Sequence, residues 1–371
     1  MTARYVMIGG FLGAGKTTAI LRYADRLRRQ GRTVGLITND QSTGLVDTAL
    51  VRARGFAVEE ITGGCFCCRF PSLKAAADQL TAATRPDVFL AEPVGSCTDL
   101  VATVGYPLRR LYGDAYEVSP LSVLVDPLRA ARVLGLRDGR AFSEKVRYVF
   151  EKQLEEAHLL VVNKADALDP ALAGELDAAL GERFPRARRF RVSARTGDGL
   201  DAWFDAIEST PLPHDRAMDV DYDRYAEGEA LLGWLNATLR VTAPRPFDAN
   251  AWLERLAERL VARLLAEGDA DIAHFKATLD PGDPLGGLAA VSVVRNEERP
   301  ALRERLDGDV EGGTLVLNLR VETDPEELRR ALDATLDEAA AADDGVRLEL
   351  EHREAFRPGR PVPTHRLETP S

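Results

Sequence analysis

From about residue 5 to about residue 200 the chain alternates short apolar runs with amphipathic stretches. The apolar runs predict strands at Tyr5–Ile8, Thr33–Thr38, Ala57–Ile61, Val88–Ala91, Leu121–Val125, Leu159–Val162 and Phe190–Val192. Helical spacing intervenes at Thr17–Arg29, Ser72–Ala83 and Ala171–Arg183. Strands that alternate with helices imply an α/β domain with a mostly parallel sheet, expected over residues 1–210. Ligands of such sheets bind beyond the carboxyl ends of the strands. The pattern breaks at Pro211-Leu212-Pro213 and at the acidic, aromatic stretch Asp219–Asp223, so residues 211–228 are expected to be a linker. Residues 229–350 read as a smaller α+β domain. Its predicted strands are Leu235–Val241, Ile272–Leu279, Leu288–Val294, Thr314–Val321 and Val346–Leu350, and its helices are Ala251–Ala266 and Pro325–Ala340. The Pro-rich tail 351–371 shows no apolar periodicity from Ala355 onward and is expected to be extended or disordered.

Charge narrows the partners. The formal net charge is -11, and a surface that negative repels phosphate backbones and anionic lipid. Neither nucleic acid nor a membrane is therefore expected as a partner. No apolar run approaches the roughly 18 residues that cross a bilayer. Arg4 and the apolar stretch after it could be read as a short signal peptide, but the glycines there suit a phosphate loop better. A reducing cytoplasm is the compartment expected.

The segment Gly10-Phe11-Leu12-Gly13-Ala14-Gly15-Lys16-Thr17 satisfies the phosphate-loop pattern between a predicted strand and a predicted helix. Gly10, Gly13, Ala14 and Gly15 let successive backbone N–H groups face phosphate oxygens, and the helix adds its positive end. Lys16 is placed to reach the β- and γ-phosphates and the Thr17 hydroxyl to ligate Mg2+, with Thr18 beside them. An ordinary Gly-rich turn is the competing reading, and the strand–helix context disfavours it. Asn163-Lys164-Ala165-Asp166 ends another apolar run. A carboxylate there can accept from N1 and the 2-amino group of guanine, whereas adenine would leave it unpaired. Asn163 would hold the loop, the Lys164 stem would cover the base, and Ser193 and Ala194 would form a second base-side loop. The strand Val88–Ala91 delivers Glu92 to orient a water or hold magnesium, and Gly95 to place an N–H at the γ-phosphate; a strand-capping acid is the alternative for Glu92. Asp40, after Asn39, is expected as a second magnesium-side group, with Asp47 in the same segment. These residues point to GTP rather than ATP, bound and hydrolysed with magnesium.

The four cysteines are Cys65, Cys67, Cys68 and Cys97. Three fall in Gly63-Gly64-Cys65-Phe66-Cys67-Cys68, a soft donor set for Zn2+ or another late divalent transition metal, or for copper(I). In an extended strand Cys65 and Cys67 share a face, and Cys68 joins them only if the chain turns. Packing and a thiol switch are the alternatives, although the adjacent Cys67 and Cys68 suit a disulfide poorly. Cys97, a histidine, water or a client ligand could fill a fourth position. The cluster lies in sequence between Asp40 and Glu92, so movement at the γ-phosphate could reach it. His158, His214, His274, His352 and His365 form no His-rich run, and each reads as a surface or packing residue, with His274 the one to watch.

In order, GGFLGAGKTT, GGCFCC, EPVG and NKAD resemble the CobW-like GTPases, relatives of the nickel-insertion GTPases of urease and hydrogenase. The resemblance implies a P-loop NTPase fold and a metallochaperone that passes a zinc- or cobalt-like ion to a client protein. It implies Lys16 and Thr17 at the phosphates and magnesium, Asn163, Lys164 and Asp166 at guanine, and Cys65, Cys67 and Cys68 as metal ligands. Pro246-Phe247-Asp248 and the strand holding Lys276 are similar to the family's C-terminal domain. His274-Phe275-Lys276-Ala277 stands where Arg-x-Lys-Gly is usual, and Asn39-Asp40-Gln41-Ser42 where Asn-Glu-Phe-Gly is usual. The expected partners are GTP or GDP and a metal-requiring client, with a homodimer left open. A regulatory GTPase whose cysteines are structural or redox-active is the alternative, and a kinase or ATPase on the same loop is disfavoured by Asp166.

Overall fold

The computed structural model describes residues 2–41, 45–139, 142–213, 217–266, 270–283, 287–342 and 345–368. Contacts divide the chain into two compact units. One comprises Met1–Gln41, Phe56–Gly228 and Arg360–Ser371, and the other Ser42–Gly55 and Glu229–Gly359. The sequence suggested a consecutive division. Instead, the segment after β2 belongs with the second unit and the end of the tail with the first.

The first unit is built on strands β1 (Ala3–Gly10), β2 (Val34–Asn39), β3 (Ala57–Ile61), β4 (Val88–Glu92), β5 (Tyr116–Val118), β6 (Ser122–Val125), β7 (Leu159–Val162) and β8 (Arg188–Arg191). They form one sheet in the order β3-β2-β4-β1-β6-β7-β8, with β5 beside β1, and the pairings are parallel. Tyr5, Val6, Met7 and Ile8 are fully buried, as expected for a strand covered on both faces. This is the α/β fold that the alternation predicted. A parallel sheet puts all its carboxyl ends on one edge. Thr38 of β2 is level with Glu92 of β4, and Gly10 of β1 with Leu124 of β6, so motifs far apart in sequence share that edge.

Helix α1 (Lys16–Arg29) buries Ala19, Ile20, Tyr23, Ala24 and Leu27, a helical stripe. Its last turn carries Arg26, Arg28 and Arg29, which complement the helix dipole. Within the expected linker Leu212 N donates to Val118 O at 3.1 Å, and the helix Tyr222–Ala230 begins.

The second unit is an antiparallel sheet of β9 (Leu232–Phe247), β10 (Asp271–Asp280), β11 (Ala289–Val293), β12 (Ala301–Glu304), β13 (Val310–Glu322) and β14 (Arg347–Phe356), in the order β12-β11-β10-β13-β9-β14. Odd positions such as Leu235, Leu239, Phe275, Leu317 and Leu319 form one core with the helices Ala249–Ala266 and Pro325–Ala342. Several even positions are polar yet buried, among them Asn236, His274, Asn318 and Arg320. Helix α2 (Val46–Ala53) packs on β10 and β13. Val46 N donates to Asn318 Oδ1 at 2.9 Å, and Lys276 Nζ donates to Asp47 at 2.6 and 2.8 Å. Residues 351–356, placed in the tail by the sequence, extend β14. That strand lies at the sheet edge and is rich in charge, which blunts open edges and hid its periodicity. No helix among the described residues is long and apolar enough to cross a membrane.

Candidate functional site

Steric demands shape the phosphate loop. Gly10 has φ +126, and a Cβ there would stand 2.3 Å from Leu124 O. Gly15 has φ +90, and its Cβ would stand 2.4 Å from Asn163 Nδ2. Neither position admits a side chain. Helix α1 then begins at Lys16, presenting its first backbone N–H groups at the loop. Lys16 Nζ lies 3.4 Å from Phe11 O and 3.9 Å from Glu92 Oε1. Thr17 Oγ1 donates to Glu92 Oε1 at 3.2 Å. Lys16, Thr17 and Glu92, distant in sequence, thus meet in one buried cluster. Thr18, one position on, is exposed. Gly95 lies against the loop, where a Cβ would come within 2.6 Å of Leu12 Cδ2 and 3.2 Å of its Cα. Its carbonyl accepts from Gln153 Nε2 at 2.9 Å, which also donates to Cys97 O at 2.8 Å.

The residues expected at the base are tied to the same loop. Asn163 Nδ2 donates to Ala14 O at 2.9 Å, and its Oδ1 accepts from Ala194 N at 2.9 Å. Lys164, at φ 56, donates through Nζ to Gly13 O at 2.8 Å and to Asp126 Oδ2 at 2.8 Å. Asp166 accepts from Ser193 Oγ at 2.5 Å and is paired with Arg195. Burial would raise its carboxyl, but the Ser193 hydroxyl and the Arg195 guanidinium outweigh that and hold it below the usual range. Asp126 went unread in the sequence. Its Oδ1 caps the helix Pro127–Val133 by accepting from Arg129 N at 3.0 Å, and Asp-Pro after an apolar strand is the signal that could have found it.

The cysteines sit on a turn rather than a strand. Gly63 (φ 73) and Gly64 (φ 146) bend the chain, and Cys68 N and Arg69 N both donate to Cys65 O, at 3.1 and 2.9 Å. The turn brings all three sulfurs together, Cys68 included. Sγ separations are 2.7 Å for Cys65–Cys67, 3.2 Å for Cys65–Cys68 and 3.7 Å for Cys67–Cys68. A tetrahedral zinc with bonds of about 2.3 Å spaces its sulfurs about 3.8 Å apart. The donor set therefore fits a soft metal after a small opening at Cys65. Hydrogen bonding with Cys67, and then with Cys68, pulls the Cys65 thiol well down. The same contacts with Cys65 push Cys67 up and Cys68 up to about 11.

Asn39 holds this turn, a role that the sequence reading missed. From the end of β2 its Nδ2 donates to Ile61 O at 3.0 Å and Gly64 O at 2.8 Å, and its Oδ1 accepts from Phe66 N at 2.9 Å. Both neighbours of Cys65 are thereby fixed by the residue before Asp40. Asp40 is buried, donates its own N–H to Ile61 O at 3.1 Å and accepts from Gln41 N at 2.5 Å.

A family model for the nucleotide-binding domain described as CobW/HypB/UreG matches residues 4–189. The chain belongs to the CobW/HypB/UreG family. Over 172 residues it is 31% identical to a protein of Escherichia coli (strain K12) named zinc chaperone YeiR, covering 44% of this chain and 47% of that one. Over 219 residues it is 30% identical to zinc chaperone CobW of Sinorhizobium sp, covering 52% and 59%. Over 199 residues it is 28% identical to hydrogenase maturation factor HypB of Azotobacter chroococcum mcd 1, covering 53% and 56%. The chain spans about half the length of the curated relatives it matches.

Within this CobW/HypB/UreG chain the other candidates fall elsewhere. Cys97 is buried and hydrogen-bonds toward Cys65, outside the mutually close trio. Asp47 pairs with Lys276 in the second unit. His158 Nδ1 accepts from Leu121 N at 3.2 Å, His352 lies 3.5 Å from Glu354, and His365 meets the Phe70 ring edge-on at 5.0 Å. His274 is buried on β10, and His214 lies outside the described residues. Among the described residues the three cysteines form the one group of metal-ligating side chains within mutual reach.

Proposed function

We propose that this family member binds GTP with magnesium, hydrolyses it, and uses the nucleotide state to control binding and delivery of a transition metal, zinc or cobalt-like, to a client protein. One observation carries the reading: Asn39, which directly precedes Asp40, grips the backbone on both sides of Cys65. Rearrangement where β2 ends would therefore change the spacing of the sulfurs. In this reading the N–H groups of the 10–17 loop and Lys16 neutralise the phosphates. Thr17 holds magnesium, now hydrogen-bonded to Glu92, and Glu92 orients water or binds magnesium through water. Gly95 lends an N–H at the γ-phosphate, and Asp40 acts on the magnesium side. Asp166, with Ser193, Ala194, Asn163 and Lys164, selects guanine; Arg195 then shares or releases the carboxylate. The zinc chaperones among the relatives support zinc as the cargo. The reading in which the cysteines act only structurally or by oxidation draws on the 2.7 Å approach of Cys65 to Cys67.

The test is zinc release from loaded protein to a chromogenic chelator in GDP, GTP and a non-hydrolysable analogue. Nucleotide-coupled delivery predicts rates that differ at least about fivefold between states, the low end of ordinary allosteric coupling. Equal rates in all three would overturn it.

A further inference from the structure

The sulfurs have an outer wall that the motif does not contain. The chain returns at Arg360, and residues 362 and 364 bond to the cysteine turn. Val362 N donates to Cys68 Sγ at 3.2 Å. Thr364 N donates to Cys67 O at 2.8 Å, and its hydroxyl to Cys68 O at 3.1 Å. His365 packs edge-on against Phe70, the first residue of the helix that follows the turn. The strand-like contact then continues onto a second loop, because Leu367 N donates to Ala102 O at 2.9 Å.

A latch fixes the far end. Arg366 Nε donates to Asp99 Oδ2 at 2.8 Å and Arg366 Nη2 to Met218 O at 3.0 Å, while Tyr222 OH donates to the same Asp99 oxygen at 2.7 Å. Asp99 is 1% exposed and has φ 62, an uncommon backbone conformation outside glycine. A buried carboxylate keeps its charge at low cost only when paired, so Arg366 is held by more than surface attraction. Asp99 follows Glu92 by a short loop. The strap therefore touches both the cysteine turn and the segment leading away from the nucleotide site.

We infer that residues 361–367 are a lid on the metal site, which donates a backbone N–H to the Cys68 sulfur and is latched by Arg366 on Asp99. This rests on the metal reading above. A thiolate that accepts an N–H bond is stabilised in its charged, metal-binding form, and neighbours of this kind change metal affinity about 10–100-fold. The lid must lift for the cargo to pass to a partner. The sequence suits the task. Pro361 and Pro363 flank Val362 and hold it extended at little entropic cost, and the Val362 side chain is 68% exposed, so its N–H, not its side chain, does the contacting.

That last feature supplies a clean test. Val362→Pro deletes the N–H while the polyproline path persists, Val362→Ala keeps it, and Arg366→Ala opens the latch. Two rates are measured on the full chain: iodoacetamide labelling of the thiols in metal-free reduced protein, read by mass spectrometry, and zinc loss to a chelator. A lid predicts about tenfold faster Cys68 labelling and zinc loss in Arg366→Ala. It predicts faster zinc loss in Val362→Pro, wild-type rates in Val362→Ala, and GTP affinity unchanged in all three, which also reports folding. Wild-type rates in both Arg366→Ala and Val362→Pro would overturn the lid. If the wild-type chain binds no zinc, the metal reading falls, and the labelling rates alone still decide whether the strap covers the sulfurs.

Discussion

The phosphate loop and the cysteine turn both follow strands of one parallel sheet, yet they are held in different ways. The phosphate loop is gripped from its own edge: Asn163 and Lys164 bond Ala14 O and Gly13 O, and Leu124 and Asn163 leave no room for side chains at Gly10 and Gly15. The cysteine turn is gripped on one side by Asn39 and on the other by the chain's far end, through Val362 and Thr364. A site pinned by a continuous sheet can hold a fixed geometry through turnover. One suspended between a strand end and a strap remote in sequence can change shape, which suits the proposed release of a metal.

If the two sites are separately built, each can be broken alone. The largest effect is expected from Lys16→Ala, which should weaken GTP binding roughly 100-fold or more, about 3 kcal/mol, while leaving zinc stoichiometry intact. Calorimetric titration with each ligand checks this, and loss of both would mean that the sites fold as one. Cys67→Ser should do the reverse, lowering zinc affinity by roughly 100-fold with GTP affinity preserved, as read by elemental analysis and competition with a chelator. Asp166→Asn should shift preference toward xanthine over guanine nucleotides by on the order of 100-fold, read by competition binding. No shift would remove Asp166 from the base site.

Smaller effects probe the link. Asn39→Ala strands the buried Phe66 N–H and frees the turn at Gly64, so it should cost about 1–3 kcal/mol of stability. It should also make zinc release alike in GDP and GTP; nucleotide-dependent release retained in this variant would shift the coupling elsewhere. The least effect is expected at Glu156, which accepts from Thr98 Oγ1 at 3.2 Å and Val101 N at 3.3 Å. Burial, and then the Asp99 charge, pushes its carboxyl well above the ordinary value. The folded state therefore holds a proton that the unfolded chain has released, and stability must fall as pH rises through the folded pKa. Glu156→Gln should flatten that fall, changing Tm little at about pH 5 and raising it by a few degrees at about pH 8. An unchanged slope between the two would show that Glu156 is already ionised in the fold.

Much of the arrangement at the candidate nucleotide site was legible because its residues carry strong local constraints. A glycine at positive φ, a lysine after it and an aspartate after Asn-Lys each answer to one need, and a parallel sheet brings strand ends to one edge by construction. Asn39 and Gln153 were not legible, since an amide reads alike whether it caps a turn or faces solvent, and their partners lie across the fold. The contacts of the tail were hidden for a related reason. Prolines and charges say nothing of a partner, and its N–H groups contact a turn nearly three hundred positions away.

Sequence by itself therefore determined the alternating fold, the phosphate loop and the presence of a soft donor set, because local spacing and backbone conformation encode each. Only the tertiary structure decided that the cysteines converge on a turn, that Asn39 grips it, that the segment after β2 joins the second unit and that Val362 and Thr364 bond to the turn. Those are contacts between backbone groups and side chains remote in the chain, and backbone N–H and C=O groups are the same in every sequence.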